Sequence, residues 1–171
     1  MVLISDILDL SKIESNTMEF NFCNISLHQV LNEIGSAQRM NMKKGVELLL
    51  DLPGQEITIA TDPTRLSQVI NNLVNNAIKF TSEGNICIGY RPATCNCVKI
   101  FVEDTGTGMA KEVIEHIFDR FYKGDAFKQG TGLGLAICRT IAERFKGKIE
   151  VASTPGKGTR FTIILPLKVE E

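Results

Sequence analysis

The stretch "DPTRLSQVINNLVNNAIKFT", residues 62–81, has the pattern of a single helix, yet it carries four asparagines. Asp62 is a favourable N-cap and Pro63 suits the first helical position, so the sequence predicts a helix from Asp62 to about Phe80. At about 100° per residue, its apolar side chains gather on one arc that is expected to face a sheet. These are Leu66, Val69, Ile70, Leu73, Val74, Ala77 and Ile78. Asparagine is a poor helix former, so its repeated use here needs an explanation.

The four asparagines divide into two pairs on the helical wheel. Asn71 and Asn75 fall on the side opposite the apolar arc, where we expect solvated polar residues. Asn72, Asn76 and Lys79 follow at i, i+4 and i+7 along one edge of the arc, where a half-buried polar group needs a partner. Their amide oxygens and ammonium group could hold a Mg²⁺ ion and the phosphates beside it. From this helix alone, a set of structural hydrogen bonds remains the alternative.

Two glycine-rich segments favour the ligand-binding alternative. "EDTGTGM", residues 103–109, follows a predicted strand, and its glycines would let the backbone approach a flat ligand closely. Within it, Asp104 could accept a hydrogen bond from an exocyclic amine. "GTGLGLAI", residues 130–137, runs directly into a helix whose N-terminal N–H groups suit an anionic phosphate chain. The sequence contains no G-x-x-x-x-G-K-[ST] motif, so this segment is not a P-loop.

The composition excludes several classes of function. The 171 residues carry a net charge of −1 with scattered basic residues, which argues against a nucleic-acid-binding or membrane-surface protein. No apolar run approaches the length of a transmembrane helix. The five cysteines form no disulfide-like framework, and this favours reduced thiols. We interpret Cys95 and Cys97 as free thiols at a hairpin tip, not as metal ligands.

The hydrophobic periodicity of the remaining chain predicts alternating helices and strands. Helices are expected over residues 3–14, 26–44, 110–116 and 132–145, and strands over 18–25, 45–52, 57–61, 85–92, 97–105, 148–153 and 159–167. Ser26 is a candidate N-cap for the second of these helices. This order predicts a two-layer α/β sandwich, with helices on one face of a mixed, mostly antiparallel sheet.

Five motifs in this order resemble the boxes of one enzyme family. Residues 62–81 resemble its N box, "DTGTGM" (104–109) its G1 box, "IFDRFYK" (117–123) its F box and "GTGLGLAI" (130–137) its G2 box, while "PGKGTRFTI" (155–163) is similar to its last glycine box. The chain thus resembles the catalytic and ATP-binding domain of sensor histidine kinases, within the superfamily that includes gyrase, Hsp90 and MutL. The resemblance implies a Bergerat-type sandwich over residues 16–171, preceded over residues 1–15 by the end of a dimerisation helix and a linker.

The same resemblance implies roles for individual residues. Asn76 would be the Mg²⁺ ligand, Asp104 would bind the adenine amino group, and Thr159 would assist through a water. The other expected nucleotide contacts are Asn72, Lys79, Gly106, Gly108, Tyr122, Lys123, Gly130, Thr131, Gly132, Leu133, Gly134 and Leu135. The expected catalytic residues are Asn72, Lys79 and Lys123. Phe118 and Phe121 would anchor a mobile lid over residues 118–131.

Position 72 separates phosphate transfer from hydrolysis within this superfamily. Its hydrolases carry a glutamate there as general base, whereas the amide of Asn72 cannot take a proton from water at neutral pH. No acceptor-histidine motif is present, because the two histidines, His28 and His116, lie in unrelated contexts. The resemblance therefore implies an ATP- and Mg²⁺-dependent protein-histidine kinase domain that donates the γ-phosphate to a histidine on a dimerisation domain absent from this chain.

The expected partners and location follow from the same resemblance. They are ATP, the acceptor-histidine dimerisation domain and a response regulator of a two-component system, in a homodimeric parent kinase. The domain would be cytoplasmic, in a parent that can be anchored in the inner membrane, and would itself contact neither nucleic acid nor membrane. The alternatives are a superfamily ATPase or a degenerate nucleotide-binding regulator. A serine-kinase anti-sigma factor would share the boxes but not the leading helix.

Overall fold

A computed structural model describes residues 2–123 and 131–168 of the chain. Its helices are α1 (Val2–Glu14), α2 (Leu27–Arg39), α3 (Pro63–Phe80), α4 (Lys111–Ile114) and α5 (Gly134–Arg144). Its strands are β1 (Cys23–Ser26), β2 (Val46–Asp51), β3 (Thr58–Thr61), β4 (Gly84–Ala93), β5 (Cys97–Asp104), β6 (Lys148–Thr154) and β7 (Gly158–Pro166). Among the described residues, no helix is both long enough and apolar enough to cross a bilayer.

The main sheet has five strands in the order β2-β4-β5-β7-β6. Only the β2–β4 pair is parallel, which confirms the predicted mixed and mostly antiparallel sheet. Strands β1 and β3 form a separate antiparallel pair. Alternate residues on the inner face of the main sheet are buried, and they include Ile86, Ile88, Tyr90, Val98, Ile100, Val102, Phe161, Ile163 and Leu165. Because side chains alternate across a strand, this single face carries the core under the helices.

Helix α3 forms as the sequence predicts. The Asp62 carboxylate accepts hydrogen bonds from the backbone N–H groups of Thr64 and Arg65, at 2.9 and 3.1 Å, and Pro63 occupies the first turn. The predicted apolar arc packs against the sheet, with Ile78 only partly buried, and Thr81 ends the helix. The edge of that arc therefore runs along the boundary between core and solvent.

Helix α1 packs on the rest of the molecule along one side only. Leu10 and Ile13 pack against the core, whereas Ile4, Ile7 and Leu8 are 57%, 51% and 55% exposed. A helix places residues three and four apart on the same face, so these exposed side chains form one apolar strip. The strip lies on the side of α1 that faces away from the other helices.

The structure corrects the prediction of a strand over residues 18–25. The strand begins only at Cys23, and the preceding residues pack by their rings instead of pairing with another strand. Phe20 and Phe22 both meet Phe145 edge-on, at 5.6 and 5.8 Å between ring centroids. Ring contacts with Phe145 thus accompany the path of this segment, although its alternation of polar and apolar residues resembles a strand.

A helix boundary also differs from the sequence prediction. Helix α5 begins at Gly134 instead of Gly132, because Gly132 has a φ of 72°, which no right-handed helix allows. Strands β2 and β3 form on either side of their turn, as predicted, and the structure places them in different sheets.

Candidate functional site

A small pocket lies between α3, the end of β5 and the start of β7. Its polar lining residues are Asn76, Asp104 and Thr159. Its apolar lining residues are Ala77, Phe80, Met109 and Phe161. The structure therefore brings together Asn76, Asp104 and Thr159, which the sequence singled out from three separate motifs. Such a mixture of apolar walls and a few convergent polar groups is typical of small-molecule sites.

Asp104 is the ionisable side chain among those that line this pocket. It ends β5 directly opposite Thr159 of β7, and only 6% of its surface is exposed. Its Oδ1 accepts a hydrogen bond from the Gly106 backbone N–H at 2.8 Å. Burial raises the pKa of Asp104, while backbone hydrogen bonds from Gly106 and Thr159 oppose that shift. A desolvated carboxylate of this kind is a strong acceptor for a ligand amine.

The glycines after Asp104 are required by close backbone contacts. A Cβ at Gly106 would lie 2.2 Å from the Phe80 carbonyl oxygen, and a Cβ at Gly108 would lie 2.0 Å from that of Thr154. Gly108 also has a φ of 66°, which disfavours other residues. These contacts hold the loop against both α3 and the β6–β7 turn, so the wall of the pocket is closely packed.

Ser153, which no sequence motif singled out, contacts the pocket residue Thr159. Its hydroxyl lies 2.8 Å from the Thr159 hydroxyl, accepts from the Met109 backbone N–H at 2.8 Å and donates to the Gly158 carbonyl at 2.9 Å. Ser153 and Thr159 are paired across the β6–β7 hairpin. That cross-strand register was the sequence signal that could have revealed the contact.

The polar edge of α3 extends from this pocket towards the start of α5. Asn76 and Asn72 are half-buried and Lys79 is exposed, as expected for the edge of an apolar arc. Asn76 lines the pocket, whereas the Asn72 side chain lies beside α5, with its Nδ2 3.5 Å from the Gly134 carbonyl oxygen. The polar edge of α3 thus runs from the pocket to the N-terminus of α5.

The second glycine-rich segment meets α3 at this N-terminus. Gly130 lies outside the described residues, and Gly132 adopts a φ of 72° with its carbonyl accepting from the Phe121 N–H at 2.9 Å. Leu133 and Leu135 are buried in the core, so only their backbone groups could serve a ligand. The first N–H groups of any helix have no partner within that helix, so the N-terminus of α5 offers groups of the kind that bind anions.

With this geometry in place, the comparisons with known proteins assign the chain to a family. Residues 61–169 match the family described as histidine kinase-, DNA gyrase B-, and HSP90-like ATPase. The chain belongs to this family. The membership confirms the resemblance drawn from the five boxes.

Relatives within the ATPase family include sensor histidine kinases. Sensor histidine kinase RcsC of Escherichia coli K12 is 40% identical over 171 residues, covering 96% of this chain and 18% of that protein. WalK of Bacillus subtilis strain 168 is 34% identical, covering 99% of this chain and 29% of that protein. The chain therefore corresponds to less than a third of either relative.

A solved structure confirms the α/β fold of the family member. The crystal structure of full-length ShkA in complex with AMPPNP matches 99% of this chain and 36% of that chain, with a TM-score of 0.90 and 26% identity. The histidine kinase AdeS of Acinetobacter baumannii matches 96% of this chain with a TM-score of 0.79 and 26% identity. The predicted two-layer α/β sandwich is confirmed.

The segment around the F box differs from its predicted role in one respect. Phe118 packs edge-on against Phe161, at 6.3 Å between centroids, and can anchor the segment. The ring of Phe121 is not packed as an anchor in this structure, because the residue is 64% exposed, with a backbone φ of 60°. Tyr122 lies beside the ring of His116 at 5.5 Å. Lys123 is exposed, and residues 124–130 of the predicted lid lie outside the described residues.

The prediction that Asn71 and Asn75 are simply solvated is wrong. Gln38 of α2 is buried, and its amide donates hydrogen bonds to the side-chain oxygens of Asn71 at 2.9 Å and of Asn75 at 3.3 Å. A buried amide must find acceptors, and these two asparagines supply them. One pair of asparagines therefore joins α2 to α3, while the other faces the pocket and α5.

The residues present fit a Mg²⁺ ion held mainly by phosphate. Among the residues that the structure describes, no group of three or more His, Cys, Asp or Glu side chains is placed to bind a metal. Asn76 offers an amide oxygen at the pocket, and Mg²⁺ commonly binds one or two protein groups while phosphates and waters complete its shell. When bound, the ion would neutralise phosphate charge at this edge.

Proposed function

We propose that this chain is the ATP-binding catalytic domain of a sensor protein-histidine kinase, which transfers the γ-phosphate of Mg²⁺-ATP to a histidine on a dimerisation domain. The observation that carries the proposal is the single pocket that Asp104 shares with Asn76. One supplies an acceptor for the adenine amine and the other an amide oxygen for the metal. The relatives RcsC and WalK, at 40% and 34% identity, are sensor histidine kinases, which supports the proposal.

In this proposal, one end of the site binds the adenine base and the other end binds the phosphates. Asp104 accepts from the adenine amino group, and the apolar walls formed by Met109 and Phe161 cover the ring faces. The polar edge of α3, with Asn72, Asn76 and Lys79, lies beside the phosphates. The N-terminal N–H groups of α5 favour their negative charge. Phosphoryl transfer depends mainly on such positioning and charge stabilisation.

Transfer to another molecule is favoured over hydrolysis because of position 72. An amide cannot act as general base for water, so Asn72 leaves the attacking water without activation. Its side chain contacts the start of α5 instead. We therefore propose that an acceptor histidine, brought by a dimerisation domain, is the nucleophile.

The proposal extends to the parent protein. Residues 1–15 would be the end of its second dimerisation helix and a linker, and residues 16–171 the catalytic domain. The parent would be a homodimer that passes the phosphate to a response regulator, with this domain on the cytoplasmic side of the inner membrane. Tyr122 and Lys123 would approach the nucleotide when the lid closes.

Incubation with γ-labelled ATP and Mg²⁺ tests the proposal. The chain alone should release phosphate slowly and remain unlabelled on His28 and His116. A separately made acceptor-histidine domain should acquire acid-labile, base-stable label, which is lost when its histidine is replaced by glutamine. Rapid hydrolysis by the isolated chain, with no label on the partner, would instead establish the ATPase alternative.

A further inference from the structure

A hydrogen-bonded chain links α1 to the glycine-rich segment that precedes α5. The Asp6 Oδ2 atom accepts from the Thr131 hydroxyl at 2.8 Å, and the same hydroxyl oxygen accepts from the Leu133 backbone N–H at 3.1 Å. Asp6 is only 6% exposed. A carboxylate from one end of the sequence is therefore buried against the segment proposed to bind phosphate.

A second polar contact holds the same side of α1 against α3. The two Asp9 carboxylate oxygens accept from Arg65 Nη1 at 3.2 Å and from Gln68 Nε2 at 2.7 Å. Arg65 also donates to the Gln68 side chain at 2.9 Å, so the three groups form a closed set. Asp9 is 7% exposed, and this burial protects the contact from solvent screening. The position of α1 relative to α3 and α5 is thus determined by specific partners.

The geometry at Thr131 has a consequence for the backbone that follows it. A hydroxyl has one proton, and donation to Asp6 turns its oxygen lone pairs towards the Leu133 N–H. That bond closes the turn at Gly132, whose φ of 72° sets the approach to α5. The Gly132 carbonyl in turn accepts from the Phe121 N–H. Without Asp6, the hydroxyl can rotate and the turn loses one of its restraints.

We propose that Asp6 is a positioning residue for nucleotide binding. Through its hydrogen bond with Thr131, it holds residues 131–133 in the backbone arrangement that binds phosphate. Nucleotide affinity is thereby coupled to the docking of α1. The inference rests on the proposed function. A loop that is already ordered loses less conformational entropy when it binds a ligand, so the contact raises affinity without touching the nucleotide. By linkage, bound nucleotide must stabilise the docking of α1 to the same extent.

The exposed strip on α1 indicates why this coupling is useful. Ile4, Ile7 and Leu8 lie on the side of the helix away from Asp6 and Asp9. A displacement of α1 imposed from that exposed side would move Asp6, and the Asp6–Thr131 contact would pass the movement to the glycine-rich segment. One face of α1 therefore packs against the rest of the domain, and the opposite face is exposed to solvent.

Calorimetric titration with Mg²⁺-ADP tests the role of Asp6. Asp6→Ala and Thr131→Val should each weaken binding about fivefold or more, the lower end of common coupling energies. The double variant should be no weaker than Thr131→Val alone, because that variant already lacks the hydrogen bond to Asp6. Asp6→Asn should recover most of the affinity, since its amide oxygen still accepts from Thr131. Glu14→Ala removes an exposed carboxylate from the same helix and should leave the affinity within about twofold.

Hydrogen exchange of the peptide covering α1 supplies a second measurement. Mg²⁺-ADP should slow its exchange in the parent chain but not in Thr131→Val, a variant that keeps the side-chain size and removes only the hydroxyl. Additive losses in the double variant, or an Asp6→Asn variant as weak as Asp6→Ala, would overturn the inference. If the parent failed to bind Mg²⁺-ADP at all, the proposed function would fail, whereas binding by the parent and equally tight binding by both single variants would contradict only the role of Asp6.

Discussion

The two ends of the candidate site are built in different ways. At the proposed adenine end, Asp104, Gly106, Gly108 and Thr159 are fixed by backbone contacts between two strands and a helix, and the Asp104 carboxylate and the Thr159 hydroxyl both have partners within the protein. At the proposed phosphate end, the Asn72 amide nitrogen lies 3.5 Å from a carbonyl oxygen at the start of α5, and Thr131 of the glycine-rich segment is bonded to Asp6 of α1.

This difference indicates a division between recognition and adjustment. A pocket formed by a strand terminus and tight glycine turns can hold one ligand shape with little reorganisation. A phosphate site formed by a helix edge, a helix N-terminus and a loop can change when neighbouring elements move. We expect substitutions at the first end to affect folding and base binding together, and those at the second to affect phosphate and metal binding selectively.

The largest expected effect comes from a matched pair of glycine substitutions. Gly106→Ala would force a Cβ to within 2.2 Å of the Phe80 carbonyl oxygen, whereas the Cβ of Gly134→Ala would meet the Asn72 side chain, whose amide oxygen is the nearest atom at 3.0 Å. We expect Gly106→Ala to lower the free energy of unfolding by about 2–3 kcal/mol. Gly134→Ala should change it by less than about 1 kcal/mol, because alanine favours the helix that begins there. Urea titrations measure both, and equal losses would contradict the difference between the ends.

Replacing Asp104 should give the largest loss of nucleotide affinity. Asp104→Ala removes a buried charged acceptor for the adenine amine, a loss of about 1.5–3 kcal/mol or roughly tenfold to more than a hundredfold in affinity. Titration with Mg²⁺-ATP and Mg²⁺-GTP should show that the parent prefers ATP and that the variant loses this preference. Unchanged affinity for ATP in the variant would remove Asp104 from the base site.

Asn76→Ala should produce a smaller loss that depends on the metal. The variant should bind Mg²⁺-ADP several-fold more weakly, and the difference from the parent should shrink when EDTA removes the metal. Asn71→Ala is the matched control, because Asn71 lies on the same helix but contacts Gln38 instead of the pocket. It should lower stability slightly and leave affinity within about twofold. An equal loss in both variants would show that helix packing, not metal binding, explains the result.

The smallest expected effect is a pH-dependent change in the melting temperature when Asp104 is replaced by asparagine. Since burial raises its pKa, the folded carboxyl takes up a proton more readily than the unfolded one, and the charged form destabilises the fold at neutral pH. Asp104→Asn should therefore raise the melting temperature at pH 7. This gain should shrink as the pH falls through the raised pKa, because the parent is then protonated as well. A gain independent of pH would show that the carboxylate charge is not its cause.

The parts of this site that follow from sequence are those defined by local spacing. Asn72 and Asn76 lie along the edge of α3 because i and i+4 share a helix face, and the Asp62–Pro63 pair correctly marks where that helix begins. Asp104 follows from its place at the end of an alternating strand beside two glycines. These features depend on the helical and strand periods alone.

Contacts between distant elements could not be predicted in this way. Gln38 reaches Asn71 only because of the way α2 packs beside α3, and the hydrogen bond from Thr131 to Asp6 joins residues 125 positions apart. The exposed ring of Phe121 depends on a left-handed backbone conformation that its sequence does not signal. In each case, tertiary packing selects one of several arrangements that the local sequence permits.

A comparison of adenosine with Mg²⁺-ADP tests the division of the site most directly. Calorimetry should measure both ligands against the parent, Asp104→Ala and Asn76→Ala, with circular dichroism confirming that each variant is folded. We predict that Asp104→Ala weakens both ligands, whereas Asn76→Ala weakens Mg²⁺-ADP and leaves adenosine within about twofold of the parent. Equal weakening of adenosine by Asn76→Ala, or undiminished adenosine binding by Asp104→Ala, would contradict a base end built on β5 and a phosphate end built on α3.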